Sequence, residues 1–235
     1  MSLYDIQSIL NAVGAICPDI RARVCTASKP LDERGLWWEL SSCILSSQVP
    51  YSLAVAATAV IDAESLLLTD RNNSEELIQR LVDLLSTPLI VEGRPRSYRF
   101  PVARARHLAA TRAVISAENC SLRELVDGFN DASETRAWFV KHVPGVGPKQ
   151  ASMFLRNIGK SYDLAILDRH VLNYMSKLGL YSGSDHFISG LTQYRRHEAV
   201  LREHAQEMDC PVGLLDWAIW IVMRVANRSM EPAAI

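Results

Sequence analysis

A chain of 235 residues with 49% hydrophobic side chains and a mean hydropathy of +0.03 can bury one globular core or two small ones, which excludes a disordered chain. No apolar run reaches the roughly 18–20 residues that span a bilayer, and the opening Met1-Ser-Leu-Tyr-Asp-Ile lacks the charged start of a secretory signal, so the expectation is a soluble, monomeric, intracellular protein of the cytoplasm and nucleoid or of a nucleus. With a net charge of −1, any grip on a polyanion must come from a local patch.

Ile6, Ile9, Leu10, Val13 and Ile16 recur on one helical face and predict a first helix. Helices follow near 36–46 and near 51–62, the latter with Pro50 at its mouth. Ser74 reads as an N-cap before Glu75-Glu76-Leu77, and Leu77, Ile78, Leu81, Val82 and Leu85 give that helix an apolar face. Residues 92–112 hold Arg94, Arg96, Arg99, Arg104, Arg106 and Arg112 against Glu92 alone, the one basic patch of the chain. Pro101 opens a helix within it, to about Ala117. Ser121-Leu-Arg-Glu124 is a capping box. A helix from Ser133 leads to a second from Gly147 to Ile158, with Gly159 as its stop. Later helices are predicted near 168–178, 190–208 and 212–227. No period-2 strand stands out, and Ala165-Ile-Leu167 is too short to assign, so the class is all-α with about ten helices.

The chemistry concentrates in His142-Val-Pro-Gly-Val-Gly-Pro-Lys149 and Ala165-Ile-Leu-Asp168-Arg-His170. Gly145 and Gly147, with Val146 between them, let backbone N–H groups turn towards an anion. The helix they open adds a favourable dipole for phosphate. Lys149 stands at that helix's start and Asp168 follows nineteen residues later. A lysine is a nucleophile only as the neutral amine, and a partly buried helix N-terminus disfavours its charged form. A carboxylate can accept the amine proton and stabilise positive charge on a reacting sugar. The bland alternatives are a lysine that only neutralises a phosphate and an aspartate that only caps the next helix.

These residues resemble the helix-hairpin-helix DNA glycosylases that carry a catalytic lysine. Pro144-Gly145-Val146-Gly147-Pro148-Lys149 stands at the family's hairpin and lysine, and Asp168 at its aspartate. Ala151-Ser152-Met153-Phe154-Leu155-Arg156-Asn157-Ile158-Gly159 and Leu167-Asp168-Arg169-His170 are most similar to the archaeal-type 8-oxoguanine branch. The resemblance implies two helical lobes with a DNA-binding cleft and the helix-hairpin-helix motif at about 133–158. One lobe spans 34–160; residues 1–33 and 161–235 form the other. It implies a bifunctional DNA glycosylase/AP lyase that excises an oxidised purine, 8-oxoguanine first, from double-stranded DNA containing the damaged base, through a Schiff base on Lys149. Arg169 and His170, beside Asp168, become DNA contacts. Oxidised pyrimidines are the alternative substrate, and a non-catalytic hairpin DNA-binding module the alternative function.

A base inside a duplex must be extruded and its gap filled. Leu45-Ser46-Ser47-Gln48-Val49-Pro50 resembles the family's loop that enters the stack, and the Gln48 amide can both donate and accept there. Leu215-Asp216-Trp217-Ala-Ile-Trp220 resembles the branch's Asp-x-x-x-Trp helix, with Asp216 and Trp220 on one face as a base pocket. The branch typically has a lysine near its C-terminus, whereas no lysine follows Lys177 here. Relatives often hold a monovalent cation on the hairpin carbonyls, but no side chain reports one. The five cysteines, at 17, 25, 43, 120 and 210, have no metal-ligand spacing, so neither a metal site nor the iron–sulfur cluster of endonuclease III relatives is expected.

Overall fold

The computed structural model describes residues 5–26, 30–69, 73–183, 188 and 190–228; the opening residues 1–4 and the tail from 229 lie outside them. In chain order the elements are α1 (Ile6–Thr26), α2 (Glu33–Leu45), α3 (Tyr51–Ala63), α4 (Ser74–Ser86), β1 (Leu89–Val91), β2 (Arg94–Arg96), α5 (Pro101–Ala117), α6 (Leu122–Asp127), α7 (Ala132–His142), α8 (Pro148–Asn157), α9 (Arg169–Lys177), α10 (Leu191–Glu207) and α11 (Val212–Arg228). The fold is all-α, with one small hairpin. Among the described residues no helix is long and apolar enough to cross a membrane. The chain divides into two compact units, Pro30–Ile158 and Met1–Lys29 with Gly159–Ile235.

The first of these units is built around α2. Leu36, Trp37, Leu40, Ser41, Ser42, Cys43, Ile44 and Leu45 are all buried, so this helix is enclosed on nearly every side. It packs against α3, α5, α6 and α8. Asp32 caps it, accepting the Gly35 N–H at 2.8 Å. Glu33 serves a different helix. Its carboxylate accepts the N–H groups of Leu122 and Arg123 at 2.9 and 3.0 Å, satisfying orphan donors of α6 beside the Ser121/Glu124 capping box.

Two expectations are corrected here. Ser74 is the first residue of α4 and not its cap. The preceding Asn73 is extended, and its Oδ1 accepts the Glu76 N–H at 2.9 Å. A strand pair exists as well: Leu89, Ile90 and Val91 face Arg96, Pro95 and Arg94 in antiparallel register. Its turn is Glu92-Gly93, both at positive φ (52° and 74°), the two-residue geometry that suits strand twist. Three-residue strands are too short for alternation to register in a sequence.

In the second unit, α1, α9 and α10 pack against α11. Val13, Leu172, Met175, Leu201, Leu215 and Ile219 lie in their common core. Through this core runs Leu164–Ala165–Ile166–Leu167, fully buried yet neither helix nor strand. Its peptide groups have no ladder to join, and a buried peptide group left unpaired is costly. Side chains supply the partners. The Ala165 N–H donates to Glu198 Oε1 at 2.8 Å and the Ile166 N–H to Asp216 Oδ2 at 2.6 Å. The Leu167 N–H donates to the Tyr194 hydroxyl, which itself donates to the Ala165 carbonyl, both at 2.8 Å.

Tyr194→Phe keeps the ring but removes a partner from two buried peptide groups. The expected loss is about 2–4 kcal/mol of unfolding free energy in urea denaturation. A loss under about 0.5 kcal/mol would mean that water replaces the hydroxyl.

Candidate active site

The helix-hairpin-helix turn follows from three backbone requirements. Val143 ends α7, its N–H returning to the Phe139 carbonyl at 2.9 Å. Gly145 then adopts φ +80°, which an L side chain rarely enters. Gly147 is the extended N-cap of α8 and Pro148 its first residue, where the missing N–H costs nothing. The N–H groups of Gly145 and Gly147 donate to no acceptor among the described residues. Gly147 has no side-chain cap to occupy the first-turn donors of α8. An anion is the natural partner of such donors. Val146 departs from the expected phosphate contact. Its N–H closes the turn on Val143 O at 3.2 Å and its side chain is buried, so it holds the hairpin shut.

Lys149 is half-buried in the first turn of α8. That helix packs on α2, and the Lys149 charge acts on the buried Cys43 thiol. Burial pushes that thiol up, Glu39 adds to the effect, and Arg156 and Lys149 oppose it. Glu39 also accepts from Asn157 Nδ2 at 3.0 Å, tying the C-terminal end of α8 to α2. His142 is stacked on Trp138 with centroids 4.9 Å apart, a packing role within α7.

Asp168 belongs to the other unit, at the exit of the buried segment. It is extended and caps α9, with Oδ1 accepting the N–H groups of His170 at 2.8 Å and Val171 at 2.9 Å. The cap therefore uses one carboxylate oxygen. Oδ2 accepts nothing among the described residues, and the side chain is half-buried. Arg169 is exposed, whereas the neighbouring His170 is only 8% exposed.

Gln48 is exposed and sits at φ +61°, presented on a tight loop between α2 and α3. Side chains from well outside that loop hold it. The Tyr98 hydroxyl donates to Leu45 O at 2.7 Å, and Arg104 Nη2 donates to Ser47 O at 3.2 Å. Burial pushes the Tyr98 phenol up to about 12, with Arg104 opposing. The basic patch is thus divided. Arg94, Arg96, Arg99 and Arg106 are exposed. Arg104 is buried, and Arg112 is drawn to the Leu66 and Thr69 carbonyls at 3.3 and 2.6 Å. Sequence reading missed Tyr98 and the inward role of Arg104 because their partners lie some fifty residues away.

On α11, Trp220 is half-buried, with the Arg224 guanidinium 4.8 Å from its ring centroid. Asp216 departs from the expected base-reading carboxylate. It is 1% exposed, and its Oδ2 is committed to the Ile166 N–H, because a buried peptide donor there needs an acceptor.

Comparison with known proteins identifies the family. A family model described as 8-oxoguanine DNA glycosylase, Ogg-HhH, matches residues 23–210. The chain is 28% identical over 218 residues to an 8-oxoguanine DNA glycosylase/AP lyase of Sulfurisphaera tokodaii, covering 90% of this chain and 95% of that protein. It is 31% identical over 194 residues to the Metallosphaera sedula protein of the same description, covering 82% and 84%. The solved 8-oxoguanine DNA glycosylase of Thermotoga maritima superposes with a TM-score of 0.67 at 25% identity, over 92% of this chain and 94% of that one. With a family model spanning four-fifths of its length, the chain belongs to the helix-hairpin-helix family of 8-oxoguanine DNA glycosylases.

Proposed function

We propose that this protein excises 8-oxoguanine from double-stranded DNA and then cuts the strand at the resulting abasic site, as a glycosylase/AP lyase. The observation that carries the reading is the hairpin: open glycine N–H donors lead directly into a helix whose first turn bears Lys149. A phosphate held on those donors brings the adjoining sugar to the amine. The curated relatives matched over most of the chain carry the same two-part activity in their names.

In the proposed reaction the Lys149 amine forms a bond to the sugar C1′ while the bond from C1′ to the base breaks. The electron pair leaves with the base, which is protonated on release. To Asp168, whose cap leaves Oδ2 open, this reading assigns stabilisation of the positive charge on the sugar and uptake of the proton the amine loses. The sugar ring opens to an imine on Lys149. Loss of a C2′ proton then expels the 3′ phosphate by β-elimination, and water frees the lysine. This chemistry draws on no cofactor. Gln48 fills the gap left by the extruded base, Arg169 contacts the backbone, and the exposed part of the Trp220 ring stacks on the base.

Borohydride trapping on a panel of lesion duplexes tests this reading. Covalent capture should be strongest with 8-oxoguanine and absent for Lys149→Gln, which should still bind duplex. Capture by that variant at the wild-type level would place the nucleophile elsewhere. No capture by the wild type on any lesion would leave a non-catalytic DNA-binding module.

The two roles of Asp168 separate by substitution. Asparagine keeps a capping oxygen, so Asp168→Asn should unfold like the wild type yet excise the base at least about 10²-fold more slowly. Asp168→Ala should in addition lose about 1 kcal/mol of stability. Normal single-turnover rates for the asparagine variant would reduce Asp168 to a helix cap.

For Trp220→Ala we expect excision of 8-oxoguanine to slow by about 10- to 100-fold, the worth of one base stack. Cleavage of a preformed abasic site should change far less. Parallel losses on both substrates, with a lowered melting temperature, would mean that the ring is only core.

A further inference from the structure

Arg104 occupies an unfavourable place. It is 8% exposed, it lies in the first turn of α5 at the positive end of the helix dipole, and among the described residues no carboxylate pairs with it. Its Nε, also buried, has no hydrogen-bond partner among the described residues. What surrounds the guanidinium is neutral: the Ser47 carbonyl at 3.2 Å, His107 Nδ1 at 3.1 Å, the Tyr98 hydroxyl, and the Phe100 ring 5.8 Å away. Replacing such a charge with a well-packed apolar side chain often costs a fold nothing. Its presence therefore calls for a reason other than stability.

Following the contacts outward supplies one. On one side Arg104 and Tyr98 hold the carbonyls of Ser47 and Leu45, which frame the loop that turns Gln48 outward. On the other side is His107. An arginine can only donate, so Nδ1 must be the acceptor and the ring proton sits on Nε2. Burial, with Arg104 beside it, keeps His107 below the ordinary imidazole value and hence neutral. That ring lies against the hairpin. A Cβ on Gly145 would fall 2.3 Å from His107 Nδ1 and 3.0 Å from both Cε1 and Cγ. The atom that receives Arg104 is thus the atom that the hairpin glycine touches.

The geometry points to Arg104 and His107 as positioning residues that couple the phosphate-gripping hairpin at Gly145 to the gap-filling loop at Gln48, so that backbone grip and base replacement occur as one event. This rests on the reading of Gln48 and the hairpin given above. Hydrogen bonds from a single planar guanidinium fix the loop in one orientation, and a neutral ring transmits any displacement of Gly145 to it. Seizing the phosphate would then also set Gln48 at the height of the stack.

The test uses a duplex with a tetrahydrofuran abasic analogue opposite 2-aminopurine, whose fluorescence rises when a side chain enters the stack. No bond is broken in this assay, so it stands apart from the glycosylase reading. A wild type that gives the rise without releasing 8-oxoguanine would defeat that reading alone, whereas a wild type without the rise would defeat this one. Arg104→Met should still bind the duplex with Kd changed by less than about tenfold, a loss smaller than that of several phosphate contacts. It should lose most of the rise and excise 8-oxoguanine about 10- to 100-fold more slowly, as expected for a misplaced side chain. Arg104→Lys should recover part of both. Gly145→Ala should also lose the rise, and adding His107→Ala should restore part of it by making room for the new methyl. That pair keeps the inference open to test even if Arg104→Met fails to fold. A full fluorescence rise in Arg104→Met, or no relief of Gly145→Ala by His107→Ala, overturns the coupling.

Discussion

The second unit depends on satisfying peptide groups that have no regular structure to join. Residues 164–167 cross its core without a helix or a ladder, and three successive N–H groups must find acceptors there. Glu198, Asp216 and Tyr194 provide them, which explains why two carboxylates and a phenol sit almost wholly buried on α10 and α11. The outcome is rigidity at one point. Asp168 leaves this cradle and is clamped at once by the first N–H groups of α9, so one carboxylate oxygen is fixed by the backbone and the other is aimed by it. A polar core of this kind stabilises poorly for its size, but it holds a loop residue with the precision of a helix.

Lys149 is positioned by a different device with a similar result. Two glycines and a proline decide where α8 begins, and the open donors and the amine sit within one turn of each other. In the proposed reaction, anion binding and nucleophile placement are thereby the same local fact, which is economical where a sugar must be held by its neighbouring phosphate.

Much of this was legible in the sequence. The apolar spacing of the helices, the Ser121 capping box, the Gly-Val-Gly turn and the Pro148 start are local, and local rules read them. The failures have a common cause in long-range partners. Asp216 looked like an open carboxylate on a helix face shared with Trp220, because nothing near it in sequence announces that Ile166 needs an acceptor. Arg104 and Arg112 were counted as surface charge, yet their partners are carbonyls more than forty residues earlier. The 89–96 hairpin escaped notice because each strand offers only three residues to a period of two.

The backbone of Gln48 carries a consequence of its own. A glutamine at φ +61° occupies a region that glycine enters freely and that costs a side-chain-bearing residue about 1–2 kcal/mol. Under selection for hardness alone, this position would drift to glycine and the molecule would gain heat resistance. Under the proposed gap-filling role, the amide must stay and the strain with it. On that proposal, position 48 is one at which tolerance of heat and fidelity of the genome pull in opposite directions.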